Sequence, residues 1–355
     1  MSFPLATGVG AALIVIALVD VFLTVLYARM EVSLLTPRLY RATWSLMKAV
    51  SPRSRTRRDR FLSFAGPLML VETLVLWGAL LVVGFALISW PVLGSDIQAS
   101  SGPTPTDFLS AVYYSGYAFT TLGTGDLVPQ SSAYRLLMVF QAWVGFSVLT
   151  LTLTYLMSVF SALVRRNTFA QTLHHLTSGT GQPAKLVSGL LTGQPDRGRG
   201  ELATLGSGML NLLESHHSYP VLHYFRMSDA RYAMSRTAFV VMESATLIRS
   251  VLGPNFRPLK ESAAVSLLWG SGSDLLEQTS KSLLKREAPN TARDDRSSFE
   301  AARRIFDIAG VESDSKEDAL QAYSKMREPW FASVAAFAEQ MAYDLSEIIP
   351  QRPND

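Results

Sequence analysis

Apolar runs and amphipathic stretches divide this chain into two unlike parts. Residues 3–28 are apolar apart from Asp20 and a few hydroxyls, residues 64–93 are interrupted only by Glu72, and residues 136–164 carry no charge. As helices rising about 1.5 Å per residue, all three are long enough to cross a hydrocarbon core of about 30 Å. The third exceeds what a bilayer needs and is expected to continue beyond it as a helix. Beyond Arg166 the apolar positions fall at helical spacing over residues 201–215, 229–252, 298–309 and 316–348. Gly/Pro/Ser-rich joints, among them SGTGQP, TGQPDRGRG and WGSGSD, separate these patterns. Little β-branched alternation is present, so the chain reads as an all-α membrane protein with an all-α C-terminal domain. One segment fits neither class: residues 104–120 are apolar and aromatic but too short to span and return. Thr104, Pro105, Thr106 and Asp107 supply hydroxyls and an acid suited to a helix start. The sequence FTTLGTGDLVP follows, at residues 119–129. A half-length helix and a glycine loop between two spans form a re-entrant pattern, and irregular backbone at that depth is tolerated only where it is buried or lines a wet path.

Composition agrees with a membrane protein, since 48% of the 355 residues are hydrophobic and 17% charged. Residues 1–164 hold ten Lys/Arg and seven Asp/Glu, against twenty-two of each in residues 165–355. Nine of those ten are Arg29, Arg38, Arg41, Lys48, Arg53, Arg55, Arg57, Arg58 and Arg60, between the first two spans. The excess of basic residues makes that loop cytoplasmic. The N-terminus is then outside, residues 90–133 lie outside, and the C-terminal domain is cytoplasmic, as in a multi-pass protein of a plasma membrane such as a bacterial inner membrane. No Lys or Arg precedes the first span, so that span is expected to be retained rather than cleaved. Within the basic loop, Leu39, Ala42, Leu46 and Val50 with Trp44 and Met47 predict a helix on the inner membrane surface, although a solvated linker fits the charges too. The net charge of +3 is concentrated there, which makes anionic headgroups along residues 38–60 the expected partner rather than nucleic acid. The absence of cysteine excludes disulfides, thiolate metal sites and a cysteine nucleophile.

The stretch YYSGYAFTTLGTGDLVP, residues 113–129, resembles the pore helix and selectivity filter of the tetrameric potassium channels. Their filter reads Thr-Val-Gly-Tyr-Gly-Asp, where this chain has Thr121, Leu122, Gly123, Thr124, Gly125 and Asp126. Tyr113 and Tyr114 stand at the family's aromatic pair, Thr120 at a further threonine, Leu127 and Pro129 at the outer turn, and Gly145 at a hinge glycine of the inner helix. The resemblance implies a homotetramer conducting K+ passively, with carbonyls of residues 121–125 and the Thr121 hydroxyl replacing the ion's water. It implies no enzyme activity and no cofactor beyond the permeant ion. The expected layout is a peripheral helix at 1–30, a basic linker at 31–63, a pore domain at 64–164 and a cytoplasmic domain at 165–355. Within the pore domain the pore helix falls at 104–120, the filter at 121–126 and the inner helix at 134–164. Positive φ is expected at Gly123 and Gly125, but not at Thr121, Leu122 or Thr124. Two residues depart from the family. Thr124 replaces the filter tyrosine, leaving its space to Tyr113, Tyr114 or Leu122. Tyr117 replaces an acid, and its phenol could brace Asp126. Two alternatives stay open: a nonselective monovalent cation channel, and a membrane-tethered sensor or scaffold with a vestigial pore.

The third span adds a signal of its own. Ser147, Thr150, Thr154, Ser158 and Ser161 share one helical face, fit to line a water-filled cavity or to bond back to the preceding turn. Asp20 and Glu72 are intramembrane carboxylates, read as structural contacts before proton sensors or partners of a loop arginine. No span repeats arginine as a voltage sensor requires. His174, His175, His216, His217 and His223 lack ligand spacing and read as packing or surface residues. No Gly-rich stretch continues into a phosphate loop. What the cytoplasmic domain binds, whether small molecule, lipid or protein, is open.

Overall fold

The computed structural model describes residues 3–27, 33–192, 195–283, 294–314 and 316–349. Arg29 and the end of the first apolar run lie outside them, as does part of the TGQPDRGRG stretch. The chain forms two compact units, one of residues 1–46 and 66–160, the other of residues 47–65 and 161–355.

In the first unit, α1 (Phe3–Val21) ends in a π-helical turn, Phe22–Leu26. Next come α2 (Thr36–Val50), α3 (Arg55–Leu62) and α4 (Ala65–Ser89), of which α3 belongs to the second unit. A short strand β1 (Ile97–Ala99) precedes α5 (Phe108–Phe119), and β2 (Leu127–Pro129) precedes α6 (Ser132–Leu176). Three helical stretches, Pro4–Leu26, Arg55–Val92 and Ser132–Leu176, have the length and composition to cross a membrane. This is a membrane protein. Ile14, Ala17 and Val21 of α1, Trp77, Leu81 and Phe85 of α4, and Val144 and Val148 of α6 form one buried cluster. The first span is thus packed onto the other two.

The strands β1 and β2 pair antiparallel, with Ile97 opposite Pro129 and Ala99 opposite Leu127. Three-residue strands carry too few alternations to be read from sequence. Their pairing ties the segment entering α5 to the segment leaving the glycine loop.

The second unit is helical: α7 (Pro183–Leu191), α8 (Pro195–Ser218), α9 (Met234–Ser250), α10 (Arg257–Lys260), α11 (Ala263–Leu283), α12 (Asp295–Ile308), α13 (Glu317–Gln340) and α14 (Leu345–Ile348). In α9, 15 of 17 residues are buried, so it is covered on nearly every side and forms the core against α7, α11 and α13. Its buried acid is matched. Glu243 accepts from Arg327 Nε at 2.9 Å and from the Tyr323 hydroxyl, while Arg327 also donates to Asp295 at 2.8 Å. The loop between the first two spans joins this unit through Arg226, whose buried guanidinium donates to Asp59 Oδ1 at 2.5 Å and lies 4.2 Å over the Tyr343 ring.

Several sequence expectations need correction here. The pattern over 229–252 is a 3₁₀ turn, Ala230–Tyr232, followed by α9, and the pattern over 316–348 breaks after α13 where Ala342 takes φ 56°. WGSGSD is not a joint but lies within α11, where a Cβ on Gly272 would meet Met242 Sδ at 2.5 Å. Its glycine serves close helix contact with α9. Both α7 and α11 were unexpected.

Candidate functional site

Hydrogen bonds before, at the start of and along α5 hold it in place. Asp107 caps its N-terminus, accepting from Ser110 N at 3.0 Å and Ser110 Oγ at 2.7 Å. The helix therefore starts at Phe108, a turn later than the pattern from residue 104 indicates. Thr104 instead accepts from Ala99 N at 2.9 Å, and the Trp90 indole donates to Thr106 O at 3.1 Å. From α6, buried Gln141 donates to Ser115 O at 2.8 Å. The sequence reading missed Gln141, although a lone amide in an apolar span was a signal that it had a partner. Gly145 lies within continuous α6, and a Cβ there would sit 2.0 Å from Phe119 O. The close approach of α6 to the end of α5 accounts for this glycine without a hinge.

The chain leaves α5 through Thr120, whose hydroxyl donates to Gly116 O at 2.9 Å. Thr121 N then bonds Ala118 O at 3.2 Å and Leu122 N bonds Tyr117 O at 2.9 Å. Over the next residues φ alternates in sign. Thr121 (57°), Gly123 (61°) and Gly125 (75°) are positive, while Leu122 and Thr124 are not. Positive Thr121 corrects the expectation that only the glycines would take this conformation. A β-branched residue with positive φ is strained, of order 1–3 kcal/mol, and such strain concentrates at functional sites. A Cβ on Gly123 or Gly125 would meet nothing within 4 Å, so these positions need glycine for backbone angle and not for space. Alternating left- and right-handed residues turn successive peptides the same way, bringing the carbonyls to one edge of the ribbon and the N–H groups to the other.

The C-terminal end of the ribbon is braced by a chain of hydroxyls. Tyr113 OH donates to Thr124 Oγ1 at 3.3 Å, and Thr124 Oγ1 donates to Asp126 Oδ1 at 2.6 Å. Of the three side chains that could occupy the space beside Thr124, Tyr113 makes the contact. Tyr114 packs edge-on to Tyr117 with centroids 5.4 Å apart, and Leu122 is exposed on the single chain. Tyr117 does not reach Asp126: its hydroxyl donates to Leu127 O, bracing backbone and not the acid. Asp126 O accepts from Ser100 N at 2.8 Å, next to the β1–β2 pair.

On α6, the hydroxyls of Thr150, Thr154 and Ser158 donate to carbonyls one turn back at 2.9, 3.0 and 3.0 Å. Thr150, Thr154 and Ser161 are exposed on the single chain, and Ser147 and Ser158 are half-exposed. Back-bonding uses each donor and leaves an oxygen lone pair to face water. Asp20 is fully buried and accepts four bonds, from Leu34 N (2.9 Å), Leu35 N (2.8 Å), Thr36 Oγ1 (2.7 Å) and Trp77 Nε1 (2.9 Å). Glu72 accepts from Thr43 Oγ1 at 2.6 Å. Both acids therefore fasten α2 to the spans, as structural contacts do, and the donors found on Asp20 include no arginine. Leu46 and Val50 leave an apolar face of α2 exposed.

Of the histidines, His216 and His223 are buried with ring centroids 4.8 Å apart. Burial lowers the His216 pKa to about 4 and that of His223 well below the ordinary histidine value. Among the described residues no cluster of His, Cys, Asp and Glu could hold a metal.

A half-length helix between two spans, followed by a backbone ribbon of alternating φ, is the geometry of a pore loop. Residues 72–162 match the sequence model of a family described as "Ion channel", and that segment is a two-helix pore-loop channel domain. The chain is also 27% identical over 254 residues to YdjJ, an uncharacterized membrane protein of Bacillus subtilis (strain 168), covering 70% of this chain and 71% of that one. That match is longer than the channel segment, so the similarity extends beyond the pore. No solved structure matches the chain.

Proposed function

We propose that the chain is one subunit of a homotetrameric potassium channel of the plasma membrane. The observation that carries this reading is the alternation of φ along residues 121–125, the pattern expected of a ribbon whose successive carbonyls lie on one edge. One such edge per chain cannot enclose a cation, whereas four around an axis form stacked oxygen rings able to replace a hydration shell. The negative end of α5 points toward the start of the same ribbon, favouring cations. The exposed hydroxyls of α6 would line the aqueous approach below it, and the exposed apolar positions Trp143, Phe146, Leu153 and Met157 would face lipid or neighbouring subunits.

Purified protein in liposomes under opposed K+ and Na+ gradients tests the reading. A reversal potential near the K+ equilibrium value supports it, and one near zero favours the nonselective channel that Thr124 leaves open. Gly123→Ala should abolish flux, because the added Cβ disfavours the left-handed backbone. Absence of flux in the unmutated protein across pH, voltage and lipid composition would instead favour a sensor or scaffold with a vestigial pore.

A further inference from the structure

A shallow cleft, open to solvent, lies in the helical unit between the C-terminal end of α6 and the first turn of α9. His174 and Thr177 form one wall, and Arg231, Arg236 and Thr237 the other. The Arg236 guanidinium is held by two neutral acceptors, Thr180 O at 3.1 Å and Glu347 O at 3.0 Å. Among the described residues it has no carboxylate within ion-pair distance. Three of its five N–H donors are left for other partners. Arg231, on the cleft wall, is paired with exposed Asp229 at 2.6 Å. Ala233 gives α9 no side-chain cap, so the positive end of a 17-residue helix adds to the same potential. His174 Nδ1 is buried without a hydrogen-bond partner.

A half-buried guanidinium that meets only carbonyls has lost hydration without gaining a counterion, and an anion placed beside it would offset that cost. The cleft is shallow and open to solvent and does not enclose a whole small ligand. An ionic group would meet its walls at the mouth, with the rest of the molecule outside.

We propose that this cleft binds the phosphate or carboxylate group of an anionic ligand, with Arg236 and Arg231 as charge partners and His174 as a hydrogen-bonding wall. The site stands whether or not the pore conducts. One wall is the continuation of the third span, so a bound anion would bridge the end of that helix to the core helix α9.

Calorimetric titration of the full-length protein in detergent, with inorganic pyrophosphate and separately with a short-chain phosphatidic acid, tests the site at physiological salt. Saturable binding of pyrophosphate identifies a soluble phosphate ligand, and saturable binding of the lipid alone identifies a headgroup. In either case Arg231→Gln should weaken binding by about tenfold, and Asp229→Asn should tighten it severalfold by removing the competing acid. A merely structural Arg231–Asp229 pair would not give tighter binding on loss of the acid. The proposal is overturned if neither probe binds saturably, or if both variants bind as the unmutated protein does.

Discussion

At the scale of the residue, the pore segment turns on Thr124 and the side chain that reaches it. Where the resembled family has a tyrosine in the filter, this chain has a short hydroxyl linked outward to Asp126 and backward to Tyr113. In this chain the phenol stands on α5, and its bond to Thr124 with that of Thr124 to Asp126 forms a hydrogen-bonded strut. Tyr113→Phe keeps the ring and removes only the donor, so flux should persist while the K+/Na+ permeability ratio falls severalfold, read from the bi-ionic reversal potential. An unchanged ratio would leave the strut without a role in selectivity. The glycines of this stretch were legible in sequence because positive φ is a local demand with a known residue preference. Positive φ at Thr121 was not, since the surrounding hydrogen bonds impose that conformation against the residue's own preference. Likewise the target of Tyr117 could not be read. An acid and a backbone carbonyl lie within a few residues of each other in the chain, and only packing decides which one the phenol meets.

At the scale of the element, buried carboxylates organise the entry into α2. Asp20 takes the N–H groups of Leu34 and Leu35 and the Thr36 hydroxyl, so a side chain from the first span caps a helix many residues later. Hydrogen bonds to a charged acceptor contribute about 1.5–3 kcal/mol each, and losing the acceptor also strands buried donors. Asp20→Ala should therefore speed amide exchange at Leu34 and Leu35 by at least about tenfold, measured by hydrogen–deuterium exchange, while the amides of α5 stay protected. Equal exchange in the variant would mean that α2 is held by its apolar face alone. The spans themselves were legible because a long apolar run announces its length without reference to any neighbour. By contrast, α9 was blurred, because burial on all sides removes the periodicity that marks an amphipathic helix. Glycines hid α11, because a residue that reads as a breaker is also the one that lets two helices approach.

At the scale of the whole molecule, stability in the helical unit depends on two imidazoles staying neutral. His216 and His223 pack against each other at a tilt in the interior beside Arg166, whose guanidinium donates to Leu222 O at 3.0 Å and Phe225 O at 2.8 Å. Burial depresses the His216 pKa first and the neighbouring Arg166 charge second. The unfolded chain then binds protons more readily than the folded one, so stability is full above about pH 6.5 and declines as pH falls toward 4. For His216 alone the depression to about 4 corresponds to a loss of roughly 3 kcal/mol over that window, and His223 adds to it in the same direction. Thermal unfolding of the purified protein should show a falling melting temperature between pH 6.5 and 4. The double variant His216→Gln and His223→Leu should flatten that slope whatever its stability at neutral pH, and an equally steep slope would place the acid sensitivity elsewhere.

The sequence by itself determined the three spans, the re-entrant segment, the need for glycine at positions 123 and 125, and the helical character of the remainder. All of these follow from apolar length, periodicity or the backbone freedom of a single residue, which are properties of adjacent positions. Only the tertiary structure decided that Tyr113 braces Thr124, that Asp20 caps α2, that Gly145 admits the end of α5, and that the loop before the second span belongs with the C-terminal helices through Asp59 and Arg226. Each of these joins groups far apart in the chain whose partners are chosen by distance and by the cost of leaving a buried polar atom unmatched. That cost exists only once the chain has packed.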